Sequence, residues 1–96
     1  MYEISYSKSA ERYFKKIKDK HLLSAFKQAL DKIKTDPYIG RQKLGDLRGL
    51  WGYDVKYAKA SYEIAYRIYE KNGKLVVVIL AGTRENFYDE LKRLIK

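Results

Sequence analysis

Residues 61–82, SYEIAYRIYEKNGKLVVVILAG, set two apolar runs on either side of an Asn72-Gly73 pair. Asn-Gly accepts the left-handed backbone that a tight reversal needs, so the runs predict a β-hairpin. Tyr, Val and Ile dominate both, the side chains that pack best on a pleated surface. Side chains alternate across a strand, which points Tyr62, Ile64, Tyr66 and Ile68 one way and Glu63, Ala65 and Arg67 the other. In YDVKY, residues 53–57, Tyr53, Val55 and Tyr57 likewise oppose Asp54 and Lys56. From Gly52 onward the pattern predicts three sequential antiparallel strands, with one apolar face and one charged, open face.

Toward the N-terminus, YEISYS alternates Tyr2, Ile4 and Tyr6 as a short half-buried strand does. Ser7 or Ser9 can cap the helix that follows, in which Ala10, Tyr13, Phe14 and Ile17 recur at helical spacing beneath a lysine-rich outer arc. DKHLL interrupts the period, and Leu22, Leu23, Phe26, Ala29, Leu30 and Ile33 resume it. Asp36-Pro37 ends this second helix, because the proline ring disfavours helical geometry at the residue before it. A loop rich in glycine and cations follows, GRQKLGDLRGLWG. Beyond Gly82 the helical period returns, with Phe87, Leu91, Leu94 and Ile95 on one face and Lys92, Arg93 and Lys96 suited to the negative pole of the helix. The expected fold is a single α+β domain over residues 1–96. It has an N-terminal strand, a two-helix hairpin packed on a small antiparallel sheet of about four strands, and a short C-terminal helix.

Composition narrows the function. The 96-residue chain carries 21 Lys and Arg against 12 Asp and Glu, a net charge of +9, with the excess greatest in residues 1–48. Such a balance suits a polyanion, above all nucleic acid, or an acidic protein partner; its alternative is a surface kept soluble by lysine. The absence of cysteine excludes a disulfide scaffold and a thiolate metal site. No apolar signal segment opens the chain, and Leu75 to Ala81 is far shorter than a membrane span, so a cytoplasmic location and no membrane partner are expected. No zinc spacing, Walker loop or dinucleotide fingerprint occurs, and no metal or cofactor is expected.

The strongest chemical signal is GTRENFY, residues 82–88, where Arg84 and Tyr88 follow the most apolar strand. Both side chains suit phosphate chemistry, and both are ordinary at the start of a surface helix. Arg41, Lys43 and Arg48 in the glycine-bearing loop can grip nucleic-acid phosphate or stand in solvent. Trp51 and Tyr13, Tyr53, Tyr57, Tyr62 and Tyr66 fall at core spacing and read as packing. His21, alone between the helices, has a capping or surface role.

The order of elements, with LRGLWGYDVKY, SYEIAYRIY and GTRENFYDELKR, resembles the toxins of bacterial RelE/ParE-type toxin–antitoxin modules over nearly the whole chain. The resemblance implies either a ribosome-dependent mRNA endonuclease or a DNA gyrase poison, with a degenerate homologue that only binds its antitoxin as a further alternative. The implied partners are a small cognate antitoxin, the ribosome and mRNA, and operator DNA reached through the antitoxin complex. Position by position, Arg48, Lys56, Arg84 and Tyr88 match the catalytic positions, with Arg41, Lys43 and Arg67 as RNA-binding candidates.

Two positions depart from the pattern. Asp54 stands where many nuclease members have lysine, and Glu63 where they have arginine; Arg67 is too far along its strand to replace the latter. Metal-free RNA cleavage needs a base for the 2′-hydroxyl, cations for the phosphorane and an acid for the leaving 5′-oxygen. Arg84 fits the middle role. Tyr88 can be the base if cations surround it, or can stack on a nucleobase. Glu63 is either a replacement base or, like Asp54, part of an ion pair on the strand surface: Asp54 with Lys56 and Glu63 with Arg67.

Overall fold

The structure, a computed structural model, describes residues 1–95. Along the chain run β1 (Glu3–Tyr6), α1 (Lys8–Lys16), α2 (Lys20–Thr35), a 3₁₀ turn (Pro37–Ile39), β2 (Arg41–Gln42), a second 3₁₀ turn (Gly45–Leu47), β3 (Trp51–Tyr57), β4 (Ala60–Tyr69), β5 (Leu75–Thr83) and α3 (Phe87–Leu94). The α+β architecture is the expected one. Lys96, assigned to the basic end of α3, lies outside the described residues.

The helices begin and end where polar side chains satisfy free backbone groups. Ser7 Oγ accepts the Ala10 N–H at 3.0 Å and donates to the Ile79 carbonyl at 2.6 Å, so one residue both caps α1 and fastens it to β5. Asp19 caps α2 by accepting the N–H groups of His21 and Leu22. These bonds, Leu22 first, hold its carboxyl below the usual range. Asp36 closes α2 and starts the first 3₁₀ turn by accepting the Tyr38 N–H.

Five strands form one sheet in the order β1-β5-β4-β3-β2. The expectation of about four antiparallel strands is refined at both edges. β1 runs parallel to β5, with Glu3 opposite Leu75, and the glycine-bearing loop contributes the two-residue strand β2, opposite Gly52 and Trp51. Periodicity identifies the buried face of β1 but carries no information on its direction, and a two-residue strand has too little pattern to read.

The inner face carries α1, α2 and the main core, centred on Phe26, Ile33, Ile64, Tyr66, Val76 and Val78. Phe26 stands edge-on to Tyr13, Phe14 and Tyr62, with ring centroids 5.8, 5.3 and 5.6 Å away, so aromatic packing joins both helices to β4. Tyr66 is fully buried and donates to the Pro37 carbonyl at 2.6 Å, which ties the end of α2 to the sheet.

The outer face is not open throughout, contrary to the strand pattern. Between the pairs Ala65–Leu80 and Tyr66–Val78 the register shifts, which leaves Ile79 as an extra residue on β5. Ile79 and Leu80 both pack into a second core with Leu47, Leu50, Ala65, Phe87, Leu91 and Ile95. The second 3₁₀ turn and α3 therefore cover half of this face and leave the β3 side to solvent. Leu94, expected on the buried stripe of α3, is instead exposed at its margin.

β3 turns into β4 through Ala58 and Lys59, both at positive φ (50° and 67°). That backbone suits the twist of a two-residue hairpin, but it strains residues that carry a Cβ.

Ser7→Ala is expected to lower unfolding stability by about 1–2 kcal/mol, measured by urea denaturation, since it removes a cap and the bond to β5. Burial, opposed by a bond from Gly40, pushes the Tyr66 phenol from 10.0 to about 12. A phenol whose pKa is raised on folding contributes stability that is complete below the unfolded value and is lost as pH rises through the folded one. Between these two pH values the natural protein should therefore lose stability faster than Tyr66→Phe, as thermal melts across that range would show.

Candidate functional site

Where the second core ends, the outer face opens into a cleft of about 550 Å³, lined by Arg41, Lys43, Asp54, Glu63, Arg84 and Tyr88 among more apolar neighbours that include Ile39, Leu44 and Tyr53. Each polar side chain arrives from a different element. Asp54 and Glu63 sit directly opposite one another on β3 and β4. Arg41 and Lys43 come from β2 and the residue after it. Arg84 extends the β4–β5 pairing by one bond, its N–H donating to the Ser61 carbonyl at 3.0 Å. Its own carbonyl then accepts the Phe87 N–H, which turns the chain into α3 with Asn86 left-handed at φ 61°.

Two carboxylates in cross-strand register repel, so cations must accompany them. Arg84 NH1 lies 2.6 Å from Asp54 Oδ1 and 3.5 Å from Glu63 Oε1. Lys43 Nζ lies 2.6 Å from Glu63 Oε2, and Arg41 NH2 is 4.0 Å from Asp54 Oδ2. The result is an alternating chain of charges, Arg41, Asp54, Arg84, Glu63, Lys43. Its two ends differ in energy. Asp54 is half-exposed and its pair with Arg84 is worth about 1 kcal/mol or less. Glu63 is only 4 % exposed, and stripping such a group of its partners costs about 3–5 kcal/mol. Glu63 Oε2 has no well-angled hydrogen bond despite the short approach of Lys43, so its partner is a charge rather than a directed donor.

Gly52 makes this burial possible. A Cβ there would overlap the Glu63 carboxylate and lie 3.1 Å from Lys43 Cε, so the ion pair rests on bare β3 backbone. Lys92 is a second residue that the sequence reading did not connect with the cleft. Its ammonium is 3.2 Å from Asp46 Oδ2 and 5.2 Å from the centroid of the Tyr88 ring, one helical turn earlier. The Asp46 bond, then Tyr88, keeps Lys92 above the ordinary lysine range. The Tyr88–Lys92 spacing of four residues was the available signal.

Two of the matched residues, Arg48 and Lys56, and the RNA-binding candidate Arg67 stand apart from the cleft. Arg48 follows the second 3₁₀ turn and is exposed, outside the cleft lining. Lys56 is exposed on β3 opposite Ser61, whose carbonyl holds the Arg84 backbone; it neighbours the cleft without lining it. Arg67 reaches under Gly49, its NH1 3.0 Å from where a Cβ would stand, beside the second core. The pairings expected along the strands, Asp54 with Lys56 and Glu63 with Arg67, are replaced by pairs to Arg84, Arg41 and Lys43. Arginine and lysine brought in from loops approach the acids more closely than neighbours along the same strand.

Among the described residues, no three His, Cys, Asp or Glu side chains converge as a metal site, and no helix is long and apolar enough to cross a membrane.

The sheet thus carries two helices on one face and, on the other, a small cleft lined by cations and acids at the C-terminal end of its central hairpin. A model of the ParE-like toxins of type II bacterial toxin–antitoxin systems matches residues 4–92, and the chain belongs to that family. The fold is similar to an arginine-to-alanine double mutant of the Escherichia coli toxin RelE in the free state, at TM-score 0.73 and 17 % identity over 96 % of this chain and 90 % of that one. It is also similar to the Mycobacterium tuberculosis toxin–antitoxin complex RelBE2, at TM-score 0.67 and 20 % identity over 86 % of this chain and 98 % of that one. Among curated proteins none is similar in sequence at a significant level. The protein is thus a ParE-like toxin of a type II bacterial toxin–antitoxin system.

Gly52→Ala should lower stability by about 1–3 kcal/mol and displace Lys43 and Glu63, measured by urea denaturation and by chemical-shift changes at those two residues. Unchanged shifts at both would show that the glycine is not what seats the pair.

Proposed function

We propose that the protein is a ribosome-dependent endonuclease that cuts mRNA without a metal and so halts translation. The supporting observation is the convergence of Arg84 and Tyr88 with Arg41 in one open cleft. In this reading the 2′-hydroxyl oxygen attacks the adjacent phosphorus, its proton passes to the deprotonated oxygen of Tyr88 beside Lys92, and the P–O5′ bond breaks to give a 2′,3′-cyclic phosphate and a 5′-oxygen that takes its proton from water. Arg84 holds two phosphate oxygens and stabilises the charge that accumulates on them. Glu63 is not the base, because taking up a proton would strip Lys43 and Arg84 of their buried partner. Arg41, fully in solvent, steers the RNA backbone, and Arg48 and Lys56 receive its continuation on either side. The cognate antitoxin, rich in acidic groups, masks this surface, and its complex is the route to operator DNA.

A second reading, binding and poisoning of DNA gyrase with no nuclease chemistry, is favoured by one observation. Arg41, Lys43 and Arg84 are each paired to a carboxylate, so the cleft has little excess positive charge.

Primer extension on a defined mRNA in a translating extract separates the two. Tyr88 is 52 % exposed, so Tyr88→Phe should leave the melting temperature unchanged while it lowers cleavage about 100-fold or more. Arg84→Lys, which keeps the bridge between the two acids but lacks the planar fork, should also lose cleavage. Arg84→Ala is a poorer test, since it leaves two facing carboxylates without their shared cation. Intact message alongside arrested growth would overturn the nuclease reading in favour of gyrase.

A further inference from the structure

Arg84 carries five N–H donors in a planar fork, yet all of its contacts to acids use one nitrogen. NH1 meets Asp54 Oδ1 at 2.6 Å and Glu63 Oε1 at 3.5 Å. Among the described residues, Nε and NH2 make no side-chain hydrogen bond. In a guanidinium, Nε–H and one N–H of NH2 point the same way from a single edge, spaced to meet two oxygens of one anion. The side chain is 52 % exposed and lines the cleft.

We propose that Asp54 and Glu63 are positioning residues that hold Arg84 by NH1 and present its Nε–NH2 edge to the two non-bridging oxygens of a phosphodiester. The proposal takes its ligand from the RNA-cutting reading and deepens it. The acids at positions 54 and 63 do not cancel the cationic site; they orient it. Glu63 is the deep anchor, fixed by Lys43 and by the bare backbone at Gly52. Asp54 is the shallow one, and Arg41 behind it offsets the charge that an approaching phosphate would meet. A long side chain held in its binding geometry loses less freedom when the ligand arrives.

Charge alone makes the opposite prediction, that removing an acid beside an anion site tightens binding. Asp54→Asn and Asp54→Ala remove the same charge, but only asparagine keeps an oxygen that can accept from NH1. Asp54 is half-exposed, so neither substitution empties the core. The probe is a 2′-O-methylated RNA trinucleotide, which cannot be cut through its own 2′-oxygen. The readouts are its dissociation constant and the side-chain N–H resonance of Arg84 Nε. The trinucleotide is expected to shift that resonance in the natural protein, and Asp54→Ala to bind about tenfold more weakly than Asp54→Asn. Equal affinity of the two variants, or tighter binding by the alanine one, overturns the orienting role. An unmoved Nε resonance in the natural protein overturns the anion site and the proposal with it. A responding resonance with no mRNA cleavage overturns the nuclease reading and leaves the orienting role standing.

Discussion

The burial of Glu63 is the constraint on which the outer face depends. A carboxylate withdrawn from water is destabilising unless charges and donors replace the solvent it lost. Here three segments far apart in the chain supply what it needs: the loop after β2 brings Lys43, the turn after β5 brings Arg84, and β3 leaves room at Gly52. Two of these segments are fixed in turn by apolar contacts, since Leu47 and Leu50 follow the first and Phe87 the second, all three buried in the second core. Electrostatics and the second core therefore support one another. Loosening either exposes the other to water.

Much of the fold can be read from local pattern. Alternation in β3 and β4 and helical spacing in α1 and α2 place every large side chain of the main core on its proper face, because these elements are long enough to show a period. The misreadings have a common cause. Ala58-Lys59 forms a tight turn without a single residue that favours positive φ, the bulge at Ile79 turns two neighbouring apolar residues to one side, and Leu47 and Leu50 are isolated among glycines and cations. None of these leaves a periodic trace, and the bulge and the two leucines help to build the second core.

The site was legible where it is local and obscure where it is not. Arg84 and Tyr88 stand four residues apart on either side of the turn into α3, and both line the cleft. The partners of Asp54 and Glu63 were assigned to their own strands because sequence shows neighbours along a strand and nothing of the loops that fold over it. Gly52 was read as the start of a strand, but its role is the absence of a side chain beneath a buried charge. Arg48 and Lys56 match family positions in order along the chain, and order does not bring them into the cleft.

The pairing of β1 with β5 also governs when the molecule can assemble. Glu3 to Tyr6 find their partners only in Leu75 to Val78, and β5 lies between β1 and the rest of the sheet. A growing chain can wind α1 and α2 early, but the sheet that they cover is incomplete until β5 has been made, because contacts so distant in sequence form late. Arg84 and Tyr88 come later still. The cleft therefore cannot assemble before β5 and the first turn of α3 have both been made.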